Sequence, residues 1–211
     1  MKITVLGATG SAGRRIVTEA LSRGHDVTAV ARKASGDMPS EATFLTGDAA
    51  NSDDVAQLAK GQNVVISAVR PSPGQEHTVA ETTRALLRGM HKTDARFLVL
   101  GGAANLVVPG SGGNTVIEDA NYLPPEFRHI GQASLDQLEV CRAETEVDWA
   151  YLSPSASFNP GKRTGSYRTG TDELLVDSNG KSELSMEDAA VALLDEAENP
   201  KHHRAQFTIG Y

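Results

Sequence analysis

Short β-branched apolar runs alternate with longer amphipathic segments through the first half of the chain, the pattern of βαβ units whose parallel sheet is covered by helices. Lys2–Leu6 reads as a first strand, and Ile16, Ala20 and Leu21 lay an apolar stripe along a helix from about Ser11 to Arg23, which Gly24 ends. Strands are predicted next at 26–31 and 43–46, followed by a brief helix over Val55 and Leu58 capped by Asn51 or Ser52. Residues 63–69 are so uniformly apolar that both faces of their strand must be buried. A helix from about Glu76 to His91 leads into a fifth strand, Arg96–Leu100, closed by Gly101 and Gly102.

The rhythm then changes. Residues 103–128 are rich in Gly, Pro and Asn and lack a helical stripe, which marks an active-site loop. A helix over about 131–144 and a strand at 147–152 follow, ending at Ser153 and Pro154. Residues 155–185 are expected to form a small β appendage, with 173–176 and 181–184 as a hairpin turning at Asp177–Gly180. Ser185–Asp188 resembles a capping box opening a last helix, and 206–209 suits a final strand. The expected class is α/β: one Rossmann-like, doubly wound parallel sheet across residues 1–211 with a small C-terminal appendage.

The strongest chemical motif is Gly7-Ala8-Thr9-Gly10-Ser11-Ala12-Gly13, placed directly between the first strand and the first helix. A pyrophosphate needs backbone N–H donors at close range and the positive end of a helix dipole, and a glycine turn in that context supplies both. Gly7 permits the turn, Gly10 the approach of the phosphates, and Gly13 the packing of helix on sheet. A carboxylate after the second strand selects NAD, whereas a guanidinium accommodates a 2′-phosphate. Arg32 and Lys33 stand there, so NADP(H) is favoured over NAD(H) unless both are ordinary surface cations. Asp48, beside Ala49 after the third strand, suits either an adenine contact or a turn. Ala68 and Val69 end the fourth strand along the ribose side, and Gly101, Gly102, Ser153 and Pro154 end later strands at the edge where open α/β sheets bind ligands.

GATGxxG with Arg32 resembles the atypical short-chain dehydrogenase/reductase superfamily. Gly101-Gly102-Ala103, Asp148-Trp149-Ala150-Tyr151-Leu152-Ser153-Pro154 and Pro160-Gly161-Lys162-Arg163-Thr164-Gly165-Ser166-Tyr167-Arg168 narrow the likeness to the NADH-flavin reductase group, with biliverdin-IXβ/flavin reductases as more distant relatives. The resemblance implies an NAD(P)H-dependent reductase passing hydride to FMN, FAD or a quinone-like acceptor. It departs from ordinary short-chain dehydrogenases, whose Tyr and Lys four residues on are absent from the corresponding His129-Ile130-Gly131-Gln132-Ala133. Carbonyl reduction needs a positioned proton donor, while an isoalloxazine delocalises the incoming charge and takes protons from solvent. A sensor resembling the NmrA-like regulators is the alternative, and a sugar epimerase is disfavoured because about sixty residues after strand six leave little room for a substrate domain.

His129, Tyr122 and Ser153 are the candidate catalytic side chains, each with a structural alternative. Phe158 and Tyr167 either stack on a planar acceptor or pack. His202 and His203 lack ligand spacing for a metal, and Cys141 reads as a buried small hydrophobe. A net charge of −7 argues against nucleic-acid or anionic-membrane partners, and the expected state is monomer or homodimer. The lone cysteine and the absence of an apolar leader point to a cytoplasmic protein.

Overall fold

The computed structural model describes residues 1–33 and 38–211. β1 (Lys2–Leu6), β2 (Asp26–Ala31), β3 (Thr43–Thr46), β4 (Val64–Ser67), β5 (Arg96–Leu100), β6 (Trp149–Ser153), β8 (Arg168–Gly170) and β10 (Ala205–Gly210) form one sheet in the order β3-β2-β1-β4-β5-β6-β10-β8. All neighbours are parallel except β8, which runs antiparallel to β10 at the edge. The reversal of direction on either side of β1 creates the crevice between β1 and β4 where ligands of doubly wound folds bind.

The helices explain why the central strands are apolar on both faces. α1 (Ser11–Ser22) and α5 (Met186–Glu198) cover one face, sealing a core of Ile3, Val5, Ile16, Leu98, Leu152, Leu193 and Phe207. α2 (Ser52–Ala59), α3 (Val79–Met90) and α4 (Arg128–Arg142) cover the other, over Leu6, Val65, Leu86, Phe97, Leu138 and Trp149. Asn51 is the cap of α2, accepting from the backbone of Asp53 and Asp54, and Ser185 caps α5 by accepting from Asp188 N–H at 3.0 Å. Gly24 ends α1 with φ of +77°, a conformation only glycine adopts freely.

Three expectations need correction. The helix predicted from Glu76 begins as a 3-10 turn, Glu76–Thr78, before α3 proper, and α4 starts three residues earlier than the glycine at 131 suggested. The turn at 177–180 forms, with the Asp177 carboxylate accepting from Asn179 and Lys181 N–H, but its flanks do not pair as a hairpin. Instead Leu174 N–H donates to Val107, and β9 (Glu183–Ser185) pairs in parallel with β7 (Ser157–Asn159). Leu174 has better partners in the loop after β5, where Leu106, Val108 and Val116 bury it completely in a satellite core.

Candidate active site

β1 ends beneath α1, and the chain turns between them on a set of close backbone contacts. Gly7 and Ala8 N–H both donate to Val30 O at 3.0 Å, and Gly10 N–H closes the turn on Gly7 O. Gly7 has φ of +79°, and a Cβ there would lie 2.6 Å from Ala68 O; one at Gly13 would lie 2.1 Å from Gly7 O. Glycine is therefore required on steric grounds at both positions. Gly10 is the N-cap of α1, with no side-chain cap and no acid in the first turn. The first amides of α1, from Ser11, Ala12 and Gly13, have no capping side chain and stand at the positive end of the helix dipole. These residues fit a dinucleotide pyrophosphate, because among the described residues no side chain caps these amides and no acid in the first turn opposes an anion.

Around this cradle, Thr9 lies half-buried, its carbonyl accepting from Arg14 Nε at 3.0 Å. Arg32 and Lys33 are exposed just past β2. Asp48 spends one carboxylate oxygen on Ala50 N–H at 2.9 Å, a turn-forming bond, and Ala49 packs beside the second core. Ala68 and Val69 follow β4 directly against Gly7.

The far end of the crevice is built on Tyr151, which the sequence presents as a strand position within the family-like stretch 148–154. Its fully buried hydroxyl accepts from Gly102 N–H at 3.2 Å and faces Ser134 O at 3.1 Å and Gln137 Oε1 at 3.3 Å. Burial keeps the phenol protonated well above its usual range, opposed only in part by the Gly102 bond. A Cβ on Gly101 would fall 1.9 Å from the Tyr151 ring, so the glycine pair and the tyrosine are one packing unit. Ser153 is wholly buried, its hydroxyl 3.3 Å from Asn105 Oδ1, and Asn105 in turn donates to Gln206. Pro154 is buried behind it.

The structure separates the candidate catalytic side chains. Tyr122 donates its hydroxyl to Gly180 O at 2.8 Å and packs on the satellite core, tying the 177–180 turn to the loop after β5. His129 stands exposed at the start of α4, with Nε2 3.9 Å from Glu76 Oε1. Bonds from its own N–H and that of Gly74, with His129 and His77 nearby, hold Glu76 below the usual carboxylate range. Phe158 and Tyr167 pack against the α1–α5 core, and Tyr167 donates to Asp195 Oδ2 at 2.5 Å.

The Pro160–Arg168 motif is also accounted for by packing. Gly161 N–H donates to Glu187 at 2.7 Å, Thr164 and Gly165 N–H to Asp188 at 2.8 Å, and Arg163 clasps the buried Glu19 with two bonds. Glu187 also accepts from Arg15, whose guanidinium bonds Ser11 O, so the motif is linked to the glycine turn at the start of α1. No sequence signal announces that link, because it joins residues about 170 positions apart. Cys141 is buried, and that burial pushes its thiol up to about 12, with Glu144 adding to the shift. Among the described residues no group of His, Cys, Asp and Glu is placed to hold a metal, and no helix is long and apolar enough to cross a membrane.

The chain is 37% identical to the uncharacterized protein YwnB of Bacillus subtilis over 211 residues, covering 99% of this chain and 98% of that one. A solved structure from Bacteroides thetaiotaomicron, provisionally named an epimerase, is similar with a TM-score of 0.89 and 36% identity, covering 100% of this chain and 96% of that one. A provisionally assigned NADH-flavin reductase from Streptococcus pneumoniae is similar with a TM-score of 0.87 and 28% identity, covering 100% and 99%. The model of a family described as NAD(P)H-binding matches residues 7–200, which include the glycine cradle and nearly the whole sheet. The chain belongs to this NAD(P)H-binding family.

Proposed function

We propose that the protein is an oxidoreductase that uses NADPH to reduce a flat, conjugated acceptor of the flavin or quinone kind. The observation that carries this reading is the pairing of an uncapped glycine cradle with an acceptor side that holds no Tyr–Lys proton relay. The nicotinamide supplies two electrons as hydride; the acceptor takes them and draws its proton from solvent. What the chain contributes is register. Gly7, Gly10 and Gly13 fix the pyrophosphate, Arg32 with Lys33 meets the 2′-phosphate, and the backbone at Gly101 and Gly102, held by Tyr151, forms a smooth floor beside the ring. Tyr122 and Ser153 have hydroxyls turned to Gly180 and Asn105, so neither is assigned a proton-donor role; His129 remains at the mouth as an orienting group.

The epimerase name of the Bacteroides relative finds less support in this chain. Epimerisation at a sugar carbon calls for the missing proton relay and a substrate domain, whereas the residues after β6 are spent on the sheet, α5 and the satellite core. The test is to follow NADPH and NADH consumption with FMN, FAD and quinones. Acceptor-dependent oxidation of NADPH is expected; tight dinucleotide binding without turnover on any acceptor would transfer the reading to a redox sensor.

A further inference from the structure

The mouth of the acceptor side holds an arginine that forms no ion pair among the described residues. With a net charge of −7, most arginines are committed to carboxylates: Arg23 to Glu19, Asp195 and Glu198, Arg88 to Glu81, Arg96 to Glu196, Arg163 to Glu19. Arg128 is an exception. It is exposed at the first position of α4 and, among the described residues, has no carboxylate partner. It lines an open cleft of about 520 Å³ together with Ile117, Glu118, His129 and Gln132. Glu118 shares the cleft and keeps its negative charge, but its carboxylate is turned to Thr115, whose N–H and hydroxyl both donate to one oxygen at 2.8 Å, and among the described residues it forms no ion pair with Arg128.

The cleft is placed for an acceptor. Gly102, at the end of β5, abuts Ser134, where an added Cβ would come within 2.8 Å of the serine Cβ. The cleft residues of α4 therefore lie within about two helical turns of the crevice floor. His129 reaches toward Glu76 in the segment after β4, the same segment that carries exposed Arg70, also without an ion-pair partner among the described residues. Phe127, next to Arg128, is 48% exposed, one of few large apolar side chains left in solvent. An aromatic side chain beside a guanidinium whose donors make no ion pair among the described residues is a surface for a flat ring with a negatively charged arm.

We infer that Arg128 selects acceptors bearing an anionic arm, a phosphate or carboxylate, whose conjugated ring lies over the crevice floor. This rests on the reductase reading for the ring's position but is tested separately from turnover. FMN and the uncharged lumiflavin are titrated into the protein with NADP+ present, reading the quenching of flavin fluorescence, for wild type, R128Q and R128K. Wild type is expected to bind FMN about tenfold more tightly than lumiflavin at low salt, from one exposed charge-assisted contact. R128Q should erase that preference and leave lumiflavin unchanged, while R128K retains part of it. Equal affinity for the two flavins in wild type, no FMN binding, or an equal loss of both in R128Q overturns the inference. NADPH consumption in the same samples reports independently: a retained FMN preference without turnover leaves Arg128 as a ligand-selecting residue and removes the reductase.

Discussion

Gly13→Ala isolates the phosphate cradle. The new methyl would stand 2.1 Å from Gly7 O, 2.8 Å from Gly7 C and 2.9 Å from Ala8 Cα. All three atoms are backbone, so no side chain can swing aside. Relieving the closest contact to an ordinary 3.4 Å moves the start of α1 away from the turn by about 1.3 Å. Overpacking of this kind costs about 1–3 kcal/mol, and alanine returns about 1 kcal/mol of helix propensity, so the fold should lose at most about 2 kcal/mol. Binding suffers more. The amides of Ser11, Ala12 and Gly13 ride on the displaced turn, and a hydrogen bond to a charged phosphate stretched by about 1 Å forfeits most of its 1.5–3 kcal/mol, or about 10–150-fold in Kd. Calorimetric titration with NADP+ reads the affinity and a thermal melt the stability, with Thr18→Ala, exposed on the same helix, as control. Affinity within twofold of wild type would refute the assignment of the cradle.

Arg32→Ala should weaken NADP+ about tenfold and spare NAD+, measured by paired titrations; an equal loss of both would show that Arg32 does not read the 2′-phosphate. Tyr151→Phe strands the Gly102 N–H and should cost about 1–3 kcal/mol in denaturant unfolding, with an unchanged midpoint as the contrary result. Acid should unfold the protein through the carboxylates that hold the Pro160–Arg168 motif. Burial pushes Asp188 up, but bonds from Thr164, Tyr211 and Gly165 outweigh it, and for Glu19 the Arg163 bond is the largest influence; both lie below their ordinary values of 3.8 and 4.5. Their stabilisation is thus complete above those values and lost as pH falls through the lower folded ones. The melting temperature should be level near neutrality and drop below about pH 4.5, less steeply in Asp188→Asn; identical acid profiles would exclude Asp188.

The sheet was readable because parallel strands covered on both faces leave continuous apolar runs, and Val64–Ser67 and Arg96–Leu100 announce themselves. The glycine cradle was readable because its requirement is steric and local. What escaped was contact between remote segments. Glu173–Val176 has strand-like composition, yet the loop after β5 offered Leu174 a closed apolar site, and packing overrode the hairpin pattern. The Gly102–Tyr151 bond joins positions 49 apart, and a tyrosine in an apolar strand advertises its ring, not the destination of its hydroxyl. The motif at 160–168 carried the family resemblance without saying what it touches; its partners proved to be α1 and α5.

The intimacy of Gly101 with Tyr151 restricts how this site can evolve. A serine hydroxyl at the end of β5 would be the simplest way to convert the register-only reductase proposed above into one able to protonate a carbonyl product. At position 101 that serine has nowhere to go, because the volume is already occupied by an aromatic ring that also steadies the neighbouring backbone. Acquiring it requires shrinking residue 151 in the same step and finding another donor or acceptor for Gly102. The two positions should therefore change together across relatives, and carbonyl chemistry lies at least two substitutions away, with an unstable intermediate between.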